Sequence, residues 1–68
     1  MEIKISLAAA RVNAEMTQEQ VANELHVSKT SVVNWENGKA SPSFATLQSL
    51  SAIYRMPIDN IFLPNEST

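Results

Sequence analysis

The chain has 68 residues, a formal net charge of −2 and a pI near 5.1. That length suits one small, marginally stable core, and with no cysteine to supply a disulfide framework or a thiolate metal site, oligomerisation is the natural source of further stability. No apolar run approaches the ~20 residues of a membrane span, and acidic Glu2 stands where a secretory signal would be basic, so a soluble cytoplasmic protein is expected; the acidic total argues against coating nucleic acid by bulk positive charge.

Met1 to Ile5 alternates Ile3 and Ile5 with Glu2 and Lys4, the period of a short strand, which is our reading, although the same residues suit the first turn of a helix. Ser6 can cap a first helix from Leu7 to Asn13 or Ala14, where three successive alanines favour helix and allow a neighbour to approach closely. Thr17-Gln18-Glu19-Gln20 fits a capping box and opens a second helix that runs to Leu25 and buries Val21, Ala22 and Leu25 on one face. His26-Val27 interrupts it. Ser28 can cap a third helix to about Asn37, with Val32 and Trp35 inward and Gly38 as the left-handed stop.

Ser41-Pro42-Ser43 breaks the chain again, and Phe44, Leu47, Leu50, Ser51 and Tyr54 follow helical spacing in a fourth helix. Pro57 opens a short fifth turn through Asn60. Ile61-Phe62-Leu63 is apolar and β-prone before Pro64, and can pair with the N-terminal segment as a ribbon of residues 2–5 with 61–63. Without repeats, low-complexity tracts or linkers, residues 1–68 are expected to form one domain, with no room for a separate ligand or cleavage domain.

Catalysis is not expected. His26 is the sole histidine, it sits in a turn, and no cysteine, phosphate-binding glycine loop or nucleophile–base pairing accompanies it. Asp59 and the scattered glutamates lack metal-ligand spacing, so no metal, cofactor or small-molecule ligand is expected either.

Gln18-Glu19-Gln20-Val21-Ala22, then Val27-Ser28, then Trp35-Glu36-Asn37-Gly38-Lys39, and finally Pro42 stand in an order and spacing that resembles the phage-repressor and Cro-type (xenobiotic-response-element) helix-turn-helix regulators. The resemblance covers roughly Leu7 to Phe62 and points to a compact prophage-like member, bacterial or phage-encoded. It implies an all-α, five-helix lambda-repressor-like bundle in which the helix-turn-helix of about 17–37 reads double-stranded DNA, and a transcriptional regulator, a repressor by its compact form. Small Ala22 suits a tight helix crossing, and Val27 can plug the gap beneath the turn. The family usually has glycine where His26 stands; a left-handed backbone there costs histidine some strain, though histidine is among the residues enriched in that region.

By the same resemblance Arg11 and Glu36 match positions that form a buried ion pair in some members; Arg11 alone also reads as a solvated residue or a phosphate contact. Trp35 and Glu36 would hold the third helix in place. An α-helix fits the major groove, where base pairs present distinct donor and acceptor patterns. The outward stripe of the third helix holds Lys29, Thr30, Val33 and Asn34, with Asn37 at its end. Lys29 can donate to guanine, Asn34 can pair two ways with adenine, and Thr30 and Val33 offer methyl groups to thymine. The resemblance carries base reading onto Lys29, Thr30 and Asn34, and less specifically onto Val33 and Ser31. Gln18, at the head of the second helix, has a phosphate-gripping counterpart in the family and can equally belong to the cap; Ser28, Lys39, Ser41 and Ser43 are further candidate phosphate contacts, or ordinary polar loop and cap residues.

A single module of this size usually gains specificity as a two-fold dimer on an inverted repeat. A homodimer is therefore expected, with Ile58, Ile61, Phe62 and Leu63 either forming the contact or closing the monomer core. The competing reading is a protein-interaction module on the same fold, an antitoxin or anti-repressor, which the acidic balance favours and the Lys29, Thr30 and Asn34 stripe disfavours.

Overall fold

A computed structural model describes residues 4–64. The elements run β1 (Ile5–Ser6), α1 (Leu7–Asn13), α2 (Gln18–Leu25), α3 (Lys29–Asn37), α4 (Phe44–Tyr54), a 3-10 turn (Ile58–Asn60) and β2 (Ile61–Phe62). Each α-helix starts on a hydroxyl. Ser6, Thr17, Ser28 and Ser43 accept from the backbone N–H of Ala9, Gln20, Ser31 and Thr46, which satisfies one of the amides a helix start leaves unpaired. At α2 the box is reciprocal, because the Thr17 N–H donates to Gln20 Oε1 at 2.8 Å.

The helix ends are less conventional. With Gly38 the sole glycine, it terminates α3 at φ 85°, while His26 and Arg55 cap α2 and α4 at φ 58° and 54°, and Glu15, at φ 59°, follows the Ala14 cap of α1. A left-handed residue with a Cβ costs roughly 1–2 kcal/mol. What offsets it is the residue that follows. Met16, Val27 and Met56 each send a backbone N–H back five residues, to Arg11, Ala22 and Ser51, and each side chain packs on the core. Sterically costly turns are thus held by an apolar anchor placed one residue later.

The core gathers Leu7, Ala10, Val21, Ala22, Val32, Leu47, Leu50, Tyr54, Ile61 and Leu63. Ala22 is 3 % and Val32 1 % exposed, so the α2–α3 crossing has no space for a larger side chain at position 22. Phe44 departs from the pattern its spacing suggests and is 67 % exposed. A helical side chain leans over the turn N-terminal to it, and at the first residue of α4 there is no such turn to cover.

The fifth helical element is only a 3-10 turn of three residues. Pro57 sets its start, but Ile61 and Leu63 must then reach the core, and the chain extends before an α-turn can close. The terminal ribbon is parallel and short, pairing Ile5 with Ile61 and Ser6 with Phe62. It is displaced by a residue from the expected 2–5 segment: Lys4 is outside the strand, and positions 2 and 3 lie outside the described residues. Parallel pairing follows from the long helical crossover between the strands. No described helix is long and apolar enough to cross a membrane.

Candidate nucleic-acid interface

Helix α3 has an inner side set by buried Val32 and by Trp35, which packs half-buried against the core. On its other side Lys29, Thr30 and Asn37 are exposed, and Val33 and Asn34 half-buried. These positions recur at helical spacing and form one stripe.

The C-terminal end of α3 is tied to two other helices at one carboxylate. Arg11 Nε, from α1, donates to Glu36 Oε2 at 2.7 Å and its Nη2 to Oε1 at 3.3 Å, with the two side chains only 16 % and 9 % exposed. The remaining Arg11 terminal nitrogen, Nη1, donates to the Met16 carbonyl at 3.0 Å and closes the α1–α2 loop. Gln18, the first residue of α2, donates from Nε2 to Glu36 Oε1 at 3.0 Å. The hydrogen bond to Glu36 raises the Arg11 pKa above its ordinary value, against the opposing effect of burial.

Buried Tyr54, from α4, lies within electrostatic reach of this group. Burial first, and then the charge of Glu36, push its hydroxyl up to about 12. Because the folded pKa exceeds the unfolded value of about 10, the stability this group contributes is complete below about pH 10 and is lost as pH rises towards about 12. Tyr54→Phe is therefore expected to flatten the fall in melting temperature between about pH 10 and 12, measured by circular dichroism at matched ionic strength.

The candidate backbone contacts fall at opposite ends of α3. Gln18 stands beside Glu36 in the last turn, and the following loop folds back on the same end: the Lys39 N–H donates to Asn37 Oδ1 at 2.9 Å and the Ala40 N–H to the Asn34 carbonyl at 3.2 Å. Lys39 is exposed there. Ser28 caps the other end, and nine helical residues separate the two ends by about 13 Å at a helical rise of about 1.5 Å per residue. The hydroxyls of Ser28 and Ser43 are engaged in their caps, Ser43 also donating to Thr46 Oγ1 at 3.0 Å; Ser41 is exposed in the loop between. Phe44, next to Ser43, adds an exposed ring. An open cleft of about 440 Å³ lies elsewhere, lined by Asn13, Ala14, Glu15, Ile53, Tyr54 and Arg55, none of them from α2 or α3.

Two helices joined by a three-residue turn, the second with a polar outer stripe and a buried inner side, narrow the choice of family. A family model described as Helix-turn-helix matches residues 7–61. The chain belongs to the helix-turn-helix family. Relatives of this helix-turn-helix chain include the HTH-type transcriptional activator BcrR of Enterococcus faecalis, 35% identical over 66 residues, an alignment that covers 97% of this chain and 32% of that protein. The cryptic phage CTXphi transcriptional repressor RstR of Vibrio cholerae is 33% identical over 57 residues, covering 84% of this chain and 51% of that protein. The chain thus spans about a third and about half the length of these curated relatives. No solved structure matches it significantly.

Proposed function

We propose that this helix-turn-helix chain is a sequence-specific regulator of transcription that lays α3 in the major groove of double-stranded DNA, in the cytoplasm of a bacterial cell. The observation that carries the reading is the division of α3: Val32 fully buried on one side, and Lys29, Thr30, Val33 and Asn34 together on the other. Those four supply the donors, acceptors and methyl groups that distinguish bases. Gln18 and Lys39 at one end of α3 and Ser28 at the other are the residues proposed to contact the sugar-phosphate backbone beside the groove, whose width of about 12 Å admits one helix. Ser41 and Ser43 extend the end that carries Lys39, where the backbone amides at the tip of α4 offer further donors. Repression is the direction we propose, in keeping with the phage relative named a repressor.

Two copies on an inverted repeat complete the proposal, because one module buries limited area on DNA. Ile61 and Leu63 are buried in the monomer core, while Phe62 remains 48 % exposed and is the residue of that segment available for a partner copy. With few basic residues on this face, binding should weaken with salt only shallowly. Selection of bound sequences from random duplex DNA tests the function. Recovery of a short inverted repeat, with sedimentation at two copies per duplex, is the expected result; no enrichment at low salt would overturn it in favour of a protein-binding module.

A further inference from the structure

We infer that Glu36 is a positioning residue for DNA binding, a clamp that aims the Gln18 side chain at a phosphate while Arg11 masks its charge. The role rests on the DNA-reading function proposed above. Glu36 is too covered to touch DNA itself, with its side chain 9 % exposed. What it does reach is the Gln18 amide nitrogen, at 3.0 Å.

Three physical consequences follow from that contact. A carboxylate only accepts hydrogen bonds, so it selects the nitrogen end of the amide and leaves the second N–H of the same planar group pointing away from Glu36. A glutamine at a helix tip has several rotatable bonds, and holding them before DNA arrives removes an ordering cost that a free side chain would meet on binding. Finally, an anion near a phosphate would normally repel it. Here both oxygens of Glu36 accept from Arg11, at 2.7 and 3.3 Å, so the clamp presents little charge to the backbone.

The same contact joins two tasks. Gln18 opens α2 and Glu36 lies in the last turn of α3, so the phosphate grip and the base-reading stripe share one rigid connection.

The test is a double-mutant cycle on the selected operator, read by fluorescence anisotropy with the full chain. Arg11→Met with Glu36→Leu removes the clamp while replacing the ion pair by apolar groups, a change that usually preserves stability. Gln18→Ala and the clamp-less double variant are each expected to weaken binding about tenfold, the scale of one charge-assisted hydrogen bond, and the triple variant no more than either. Losses that multiply to about a hundredfold would overturn the positioning role, since independent sites add in free energy. A second measurement needs no variant to fold: in the free protein the two Gln18 side-chain amide protons should be separated in chemical shift beyond those of a solvated glutamine. Values typical of solvated glutamine would overturn the clamp. A wild-type chain that enriches no DNA would overturn the regulatory function and this role with it, whereas binding with multiplicative losses would overturn this role alone.

Discussion

Arg11→Leu is expected to lower the melting temperature far more than Lys4→Leu, although each removes one positive charge. Lys4 is exposed, whereas Arg11 bridges α1 to Glu36 and to the Met16 carbonyl. Deleting one partner of a covered ion pair strands the other, at a cost of about 3–5 kcal/mol when burial is complete. The pair keeps some exposure, so the lower end of that range applies. A domain of this size has roughly 3–10 kcal/mol in total at roughly 0.05–0.15 kcal/mol per residue, so the loss removes much of its stability. Each 1 kcal/mol shifts the midpoint by about 4–8 °C, and thermal melts should show a fall of more than about 10 °C for Arg11→Leu and little change for Lys4→Leu. Adding Glu36→Leu to Arg11→Leu should restore most of it. Equal melting temperatures for the two single variants would show that the bridge carries no stability.

Asn34→Ala is expected to have the largest effect on recognition without unfolding the chain. Asn34 is half-buried on the outer stripe of α3, and its carbonyl, not its side chain, receives the Ala40 N–H. Loss of a two-point adenine contact should cost about 1–3 kcal/mol, a weakening of about 5- to 150-fold, and should relax preference at one position of each half-site. Lys39→Ala should behave differently. It should weaken all sequences evenly and reduce the salt slope by about one. Binding titrations across single-base variants of the operator, at two salt concentrations, separate the two patterns. An Asn34→Ala chain with unchanged sequence preference would remove Asn34 from the reading surface.

The local architecture was legible because its signals are short-range. A hydroxyl before each helix, the Thr17 to Gln20 box and Gly38 all act within one turn, and each is found where a sequence reading places it. Helical spacing also separated Val32 from the stripe of Lys29, Thr30 and Asn34. It put Phe44 in step with Leu47, Leu50 and Tyr54 but left its burial open, because a period says which residues share a face and not whether anything covers the end of that face. The fifth helix was an expectation carried by family resemblance, and the requirement to bury Ile61 and Leu63 reduces it to a single 3-10 turn.

Gln18 shows the boundary most clearly. Its place at the head of α2 and its reading as a cap residue are written in the chain, and its reading as a phosphate ligand is what the family resemblance implies. Its hydrogen bond to Glu36 is not, because the two residues are 18 positions apart and meet only through the angle at which α3 crosses α2. That angle depends on Ala22 and Val32 packing without a gap, on His26 accepting a left-handed turn and on Val27 anchoring it. The order of residues therefore specifies where helices begin, end and turn polar, since those choices are made within a few bonds. Which side chains converge on Glu36, and which apolar residues remain outside the core, follow from packing over the whole domain.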